Sequence, residues 1–278
     1  MAIQSERVAR PLAIPDVSGG AEWLQEVLAL ARRWFIMLKR EPLNLVFSIA
    51  QPALWLAFFG MGIGRAVDAA VVGTSDYLGF VLPGIIAFTV LGNGVASAMP
   101  LLFDKEDGYL DKLMAMPIAR SSVIVSRFLY QTVLLVGQVA LVLGVAFAMG
   151  VRLAAGPAGL LVLLVAVVLL TLAVTAAFLA LAYAVPGHGT FFAVTGFVTL
   201  PLLFMSNAFI PFSAMPGWMA VCAYLNPLSY AIETMRILVL EGWRAHLLYN
   251  LGVLGVAAAA LLAYGTHEFR KHTGARVD

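Results

Sequence analysis

Long runs of apolar residues alternate with shorter polar segments along the whole chain. Each of the longest runs reaches about 18 residues or more, which lets one helix cross about 30 Å of hydrocarbon. The pattern therefore predicts an all-α polytopic membrane protein with six transmembrane helices. The six predicted spans are Leu43 to Gly64, Leu78 to Phe103, Val123 to Met149, Ala158 to Ala184, Phe191 to Phe209 and Leu247 to Tyr264.

The segment before the first span, Ala21 to Arg40, repeats apolar residues at helical spacing. Trp23, Val27 and Trp34 belong to the apolar face, whereas charged residues such as Arg33 line the opposite face. This pattern predicts an amphipathic helix that lies in the cytoplasmic headgroup layer. The helix either anchors the chain to the membrane or also serves as a docking surface for a partner.

The loop 104–122 is the most densely charged part of the chain, with six ionised residues in its first nine positions. This charge excludes the loop from lipid. Gly108 permits a turn, Tyr109 to Met116 has the length of two helical turns, and Pro117 ends the helix. On spacing alone, the loop is either a solvated connection or a short rigid lever.

The segment Ile210 to Ala245 is too long for a plain hairpin loop and too apolar for a free one. Met219 to Leu225 and Tyr230 to Leu240 are predicted to be short helices, which suggests re-entrant elements in the outer leaflet. Glu233 and Arg236 are three residues apart, so they form either a pair near hydrocarbon or a solvated peripheral pair. The chain is broken at Pro211, Pro216, Gly217 and Pro227.

Lysine and arginine are distributed unevenly between the two sides of the predicted spans. Thirteen of the 17 lie before the first span, around the loop 104–122 (with Arg127 counted there) or in the C-terminal tail. Cationic loops stay in the cytoplasm, so both termini are expected there. The expected divisions are a flexible cytoplasmic tail (1–20), the amphipathic helix (21–40), a six-span domain (41–265) and a basic cytoplasmic tail (266–278).

Composition agrees with a membrane protein and excludes an ordinary soluble enzyme. Of 278 residues, 62% are hydrophobic and 12% are charged, which is too little charge to cover a soluble domain. The net charge of +2 gives no reason to expect nucleic acid as a partner. The single Cys222 excludes an intrachain disulfide, and the four histidines lie outside the predicted spans, so no metal site is expected.

Several catalytic motifs are missing from the sequence. It contains no G-x-x-x-x-G-K-[ST] loop to hold ATP phosphates, and neither G-x-S-x-G nor H-E-x-x-H for hydrolysis. No predicted span carries a central ionisable residue, which argues against an ion-driven carrier. The chain is therefore not expected to be an enzyme.

The polar residues inside the predicted spans are uncharged. Hydrogen bonding between helices is their ordinary role, and lining of a substrate path is the alternative. Apolar walls that carry such groups suit an amphipathic or lipid-like substrate. The candidates for a path are Asn93, Gln131, Gln138, Ser206 and Asn207.

Two segments together resemble a known family. Residues 106–120, EDGYLDKLMAMPIAR, resemble the E-x-G-x-L-x-x-L-x-x-x-P-x-x-R signature of type-2 ABC exporter permeases. Later, SNAFIP (206–211), MPGW (215–218) and LNPLSY (225–230) resemble the region after span five in the same family. The wording of these later motifs is most similar to the daunorubicin/doxorubicin-resistance branch.

The resemblance implies roles for the two matched regions. The loop would be a coupling helix that presses into a groove on a separate ATPase, and Ala21 to Arg40 would be the connecting helix. Spans two and five would face the axis of a permease dimer. The implied ATPase-coupling residues are Glu106, Gly108, Leu110, Leu113, Pro117 and Arg120. The implied residues of an extracellular re-entrant region are Pro211, Pro216, Trp218, Asn226, Pro227, Glu233 and Arg236.

The resemblance also implies partners and a function. The chain would bind no cofactor itself and would work with two P-loop ATPase subunits that bind ATP and Mg²⁺. A second permease copy or a paralogue and the lipids of a bacterial plasma membrane would complete the assembly. The expected function is export of an amphipathic drug or lipid-like substrate by alternating access. The alternatives are export of a lipid-linked glycan, signalling without transport, or an ATPase-independent channel or carrier.

Overall fold

The computed structural model describes residues 20–40, 42–64, 69–109, 112 and 120–274, and within these ranges it is helical and contains no strand. The described residues form nine α-helices of at least nine residues each, together with one short helix, Ala69–Val72, and a 3₁₀ turn, Phe212–Ala214. The labelled helices are α1 (Gly20–Arg40), α2 (Pro42–Ala57, continued by a π-helix over Phe58–Ile63), α3 (Tyr77–Glu106), α4 (Arg120–Ala148), α5 (Gly156–Ala184), α6 (His188–Phe204), α7 (Gly217–Leu225), α8 (Pro227–Leu240) and α9 (His246–Gly274).

Five helices within the described part of the chain are long and apolar enough to cross a membrane. They are α2 with its π-helical extension, α3, α4, α5 and α9, and they confirm five of the six predicted spans as continuous helices. The remaining prediction, over 191–209, corresponds to α6, which has 17 residues and a length of about 25 Å. The backbone turns after Phe204, so a sixth crossing stays a prediction.

At two places, charged residues that the sequence analysis counts with the loop 104–122 lie inside helices. The predicted second span ends at Phe103, but α3 continues through Glu106. Arg127 is counted with the loop in the charge tally, although the predicted third span begins at Val123; it lies two turns inside α4, against Trp34, and its side chain is 11% exposed. Both corrections have one cause: charged residues stay helical here because neighbouring helices supply partners for their side chains.

Helix α5 lies at the centre of the bundle and packs most extensively against α9 and α3. It has no charged residue and is apolar on all faces, which suits a helix surrounded by others. Gly94 permits the close approach of α3, because a Cβ atom there would lie 2.4 Å from Val174 Cγ1. Leu163, Val167 and Leu170 of α5 are buried in the resulting core.

The amphipathic helix is confirmed. One part of its apolar side packs against the bundle, and another part is exposed. Val27, Ala31 and Trp34 are buried in the bundle, and the principal neighbour of the helix is α4. Leu24 and Leu28, one position to the side, are about half exposed. The apolar side of α1 is thus in part a packing surface.

Both short helices predicted after α6 are present. Each begins two or three residues earlier than predicted, because Pro216 directly precedes α7 and Pro227 is the first residue of α8. A proline suits the start of a helix, since the missing N–H has no partner there in any case. The depth of these helices in a membrane stays a prediction.

Candidate functional site

Three consecutive charged residues, Asp104, Lys105 and Glu106, end α3. Successive residues of an α-helix point about 100° apart, so three neighbours on one turn reach different elements. The name "α3 charge cluster" is used here for these three residues. Each of them binds a different part of the bundle.

Asp104 connects α3 to α4 and α1. Its Oδ2 lies 3.3 Å from Arg127 Nη2, and its Oδ1 lies 3.9 Å from Arg33 Nη2. The two guanidinium groups also stack on aromatic rings: Arg127 lies 4.4 Å from the ring centre of Trp34, and Arg33 lies 4.5 Å from that of Tyr109. Asp104 thus pairs closely with α4 and more loosely with the amphipathic helix.

Lys105 binds the carboxyl end of α5. Its Nζ donates to the backbone carbonyl of Tyr183 at 3.2 Å and to that of Val185 at 2.8 Å. The last carbonyls of a helix have no partner within the helix, and they carry the negative end of its dipole. The ammonium group satisfies both needs.

Glu106 binds the amino end of α6. Its Oε1 accepts the backbone N–H of His188 at 2.9 Å, and it lies 2.7 Å from His188 Nδ1. A carboxylate at this position complements the positive end of the helix dipole. Gly187 permits the contact, because a Cβ atom there would lie 2.9 Å from Glu106 Oε1. Lys105 and Glu106 therefore hold both sides of the short α5–α6 connection.

The predicted coupling residues begin at this cluster. Glu106 ends α3, and Gly108 follows with a φ of 67°, which favours glycine. Arg120 is the first residue of α4. Leu110, Leu113 and Pro117 lie outside the described residues, as does most of the predicted short helix.

Three of the five predicted pathway residues meet in one hydrogen-bonded chain. Asn93 Nδ2 donates to Gln138 Oε1 at 2.8 Å, and Gln138 Nε2 donates to Ser48 Oγ at 2.9 Å. Gln131 Nε2 donates to the backbone carbonyl of Asn93 at 3.3 Å. This hydrogen-bonded network of side chains joins α2, α3 and α4.

The other two predicted pathway residues, Ser206 and Asn207, are not part of that hydrogen-bonded network; they lie in the turn after α6. Asn207 Nδ2 donates to Glu233 Oε2 at 2.6 Å, and the Ser206 hydroxyl donates to the carbonyl of Leu203. Both residues are buried. The five candidates therefore divide into two separate polar groups.

Arg236 of α8 is the centre of the second polar group, named here the Arg236 cluster and made of Phe80, Asn207, Glu233 and Arg236. The guanidinium lies 3.9 Å from the ring centre of Phe80 and donates to the Phe80 carbonyl at 3.3 Å. It also donates to the Asn207 carbonyl at 2.6 Å and to Glu233 Oε2 at 3.4 Å. These contacts attach α8 to the beginning of α3.

In the Glu233–Arg236 pair the cation is buried and the anion is partly exposed, since Arg236 is only 7% exposed and the Glu233 side chain is 32% exposed. Burial raises the pKa of the Glu233 carboxyl, although the guanidinium beside it acts in the opposite direction. Burial also lowers the pKa of Arg236 to about 10, so the guanidinium keeps its charge at neutral pH. Such a buried charge requires all of its partners.

Asn226 connects the same region to α6. Its Oδ1 accepts the backbone N–H of Leu228, which caps α8, and its Nδ2 donates to the Leu202 carbonyl at 2.7 Å. Pro211 directly precedes the 3₁₀ turn, and Trp218 is largely exposed at the start of α7. Within the described residues, no group of three or more His, Cys, Asp or Glu side chains has the arrangement of a metal site.

Sequence reasoning missed Lys105, Phe80 and His188 as members of these groups. Lys105 carried the one available signal, because it stands between two carboxylates at the end of an apolar run. The contacts of Phe80 and His188 join residues 156 and 82 positions apart, respectively. Nothing in the local pattern of the chain indicates such distant partners.

Comparison with known proteins matches residues 25–240 of this chain to the ABC-2 type transporter family model. The putative transport permease ycf38 of Porphyra purpurea is 39% identical over 217 residues, which cover 77% of this chain and 74% of the relative. The ycf38 permease of Cyanophora paradoxa is 36% identical, over 78% of this chain and 74% of the relative.

Similarity to drug-resistance permeases is present but lower. The daunorubicin resistance ABC transporter permease protein DrrB1 of Streptomyces coeruleorubidus is 26% identical, over 76% of this chain and 74% of the relative. Resemblance to type-2 ABC permeases is thus confirmed. The match to the daunorubicin/doxorubicin-resistance branch is weaker than the match to the ycf38 permeases.

Proposed function

The chain belongs to the ABC-2 type transporter family as a multi-pass membrane permease, and from this premise we propose that it exports an amphipathic or lipid-like substrate. Permeases of this family have no ATPase activity of their own and pair with ABC ATPase subunits. The chain is therefore a conduit and a transmitter of motion, and ATP and Mg²⁺ bind to its partner.

The observation that carries the proposal is the contact between Glu106 and the beginning of α6. Glu106 is the first residue of the loop signature, and its carboxylate holds the His188 end of α6. Lys105 beside it holds the end of α5. A displacement of the loop by an ATPase would therefore move the α5–α6 connection through two adjacent side chains.

We further propose the composition of the complete transporter. Two permease chains, identical or paralogous, bind two ATPase subunits through their coupling loops. Closure of the ATPase pair displaces the loops, and the spans rearrange between inward-open and outward-open states. The assembly lies in a bacterial plasma membrane with both permease termini in the cytoplasm, in accord with the excess of Lys and Arg on that side.

Two observations support an amphipathic substrate. The interior hydrogen-bonded chain of Ser48, Asn93, Gln131 and Gln138 contains neutral polar groups only. The name of the DrrB1 relative refers to resistance to daunorubicin, although that relative is only 26% identical. Export of drugs with antibiotic resistance as its consequence is one form that this function would take.

Co-purification tests the ATPase pairing first. The tagged chain is extracted from its native membrane in mild detergent, and stoichiometric partners are identified by mass spectrometry. We expect one partner that carries a G-x-x-x-x-G-K-[ST] loop. Repeated recovery of an intact permease without such a partner would contradict the proposal.

Transport by the purified complex tests the function itself. In inside-out vesicles, ATP should drive uptake of fluorescent amphiphiles, and exchange of the P-loop lysine of the partner for alanine should abolish that uptake. ATP-independent uptake would instead indicate a channel or carrier. ATP hydrolysis without uptake of any amphiphile would contradict export as the function.

A further inference from the structure

A partly open cavity of about 200 Å³ lies between the helices, close to the α3 charge cluster. Helices α1 to α5 all contribute to its wall, so the residues that line it come from a single chain. The amide chain described above forms one side, through Asn93, Gln131 and Gln138. Trp34 of α1 and Arg127 of α4 also line the cavity.

One hydroxyl in this wall has no partner. Thr175 Oγ1 is buried, the residue is 1% exposed, and no hydrogen-bond partner exists for this atom among the described residues. Buried polar groups nearly always have a partner, so an unsatisfied one beside a cavity indicates a missing ligand atom or water. Thr171, one turn earlier on α5, lacks this property because its hydroxyl donates to the Val167 carbonyl at 2.6 Å.

The charges of the wall select the kind of ligand. Arg127 is the one charged residue that lines the cavity, and the described lining includes no carboxylate. Asp104 binds Arg127 from outside the wall, but it is shared with Arg33, so two guanidinium groups face one carboxylate. The local excess of positive charge favours an anionic or acceptor-rich group and disfavours a cation.

Most of the remaining wall is apolar. Leu38, Leu134 and Leu179 line the cavity beside the polar residues, and Trp34 contributes a ring. A cavity of similar volume in a protein core accommodates a ring-sized molecule. A ligand that fits both surfaces has a compact polar head and an apolar chain.

We propose that this cavity binds the anionic head of an amphiphile, either a phosphate or a carboxylate, which accepts hydrogen bonds from Thr175 and Arg127. This inference rests on the proposed export function and narrows its substrate class to anionic amphiphiles. Each permease chain thus holds a complete headgroup site of its own, next to the side chains that bind α5 and α6.

Binding to the purified full-length permease tests the proposal, with native mass spectrometry as the readout. The probes are dodecyl phosphate, dodecanol and dodecyltrimethylammonium, which share one tail and differ in charge. We expect dodecyl phosphate to bind once per chain and in clear preference to the other two probes. Equal retention of the three probes would overturn the proposal. Dioctanoyl phosphatidate, added separately, shows whether a membrane phospholipid or only a single-chain amphiphile fits, and the proposal requires that at least one of the two bind.

Matched variants separate a ligand site from a mere packing defect. Thr175→Val should weaken binding of dodecyl phosphate about tenfold, as for one lost hydrogen bond, and should leave thermal stability unchanged or higher. Thr171→Val should leave the affinity unchanged. Ala96→Trp, which adds a large ring to the wall, should abolish binding. Equal affinities for the two threonine variants would overturn the assignment.

The assay involves neither ATPase nor transport. If the export function proves wrong, the binding result therefore remains interpretable. If an active transporter shows no preference for dodecyl phosphate, only the headgroup site is refuted.

Discussion

Helix α3 ends in a different kind of polar contact at each of its termini. At its carboxyl end, the α3 charge cluster spreads outward, so that three adjacent side chains bind α1, α4, α5 and α6. At its amino end, contacts converge instead, because the carbonyls of Phe80 and Asn207 and the carboxylate of Glu233 all bind the Arg236 guanidinium. The carboxyl end of α3 therefore contacts four helices through three side chains, whereas at the amino end several groups bind one side chain, Arg236.

The polar contacts at the two ends of α3 also differ in their exposure to solvent. The side chains of Glu106 and His188 are 32% and 54% exposed, so water competes for their contact and the pair can separate at low cost. Arg236 is buried, and every lost partner would leave a charge or a carbonyl unsatisfied. The exposed Glu106–His188 contact therefore suits a movable joint, and the buried Arg236 guanidinium suits a fixed attachment. Within the α3 charge cluster, the Asp104–Arg127 pair is not part of this joint, because its side chains are only 15% and 11% exposed.

The largest predicted effect concerns the Arg236 cluster. Arg236→Met should lower the free energy of unfolding by about 3–5 kcal/mol, because it leaves Glu233 and several carbonyls without their partner. Denaturation of the detergent-solubilised permease measures this change. Glu241–Arg244 provides a matched control, since this pair has the same i,i+3 spacing and a 3.3 Å separation but side chains that are 51% and 61% exposed, respectively.

Arg244→Met should change stability by less than about 1 kcal/mol. Similar losses for the two arginine variants would show that burial does not distinguish these pairs, and the comparison between the two ends of α3 would lose its basis.

A second prediction concerns coupling through Glu106. Glu106→Ala removes both the cap of α6 and the contact with His188, so ATP hydrolysed per substrate exported should rise several-fold while membrane insertion stays normal. Glu106→Gln keeps an acceptor for the His188 N–H and should show an intermediate defect. Vesicle transport and ATPase assays on the same complex provide the ratio.

Asp107→Ala is the control for this prediction, because Asp107 is the exposed neighbour of Glu106 and occupies a variable position of the signature. Its ratio should match that of the unaltered permease. An unchanged ratio in Glu106→Ala would refute the role of this residue in coupling.

The smallest predicted effect belongs to Lys105. Lys105→Met removes the donor to the carbonyls of Tyr183 and Val185, and the expected loss of stability is about 0.5–1 kcal/mol. Hydrogen–deuterium exchange should accelerate around the α5–α6 connection and remain unchanged in α8. Lys112→Met, at an exposed position, is the control. Faster exchange in α8 as well would indicate a general loss of packing rather than a local joint.

Local patterns in the sequence were enough to identify the helical membrane architecture, the family and the loop signature. Apolar runs and helical periodicity are local properties, because lipid requires each spanning helix to satisfy its own backbone hydrogen bonds. Local signals also located α7 and α8, whose starts are marked by Pro216 and Pro227. Periodicity likewise showed that α1 is amphipathic. It did not show that the apolar side of α1 is partly packed against the bundle and partly exposed, because that depends on the position of the other helices.

The contacts between polar residues, by contrast, follow from the packing of the helices. Glu106 and His188 are 82 positions apart, and Asn93 and Gln138 are 45 positions apart, so their contacts depend on how whole helices pack. The same packing divided the predicted pathway residues into two groups and formed the partly open cavity beside Thr175. A side chain's own neighbours in the chain set its helix and its face, but the partner across that face is set by the arrangement of all the helices together.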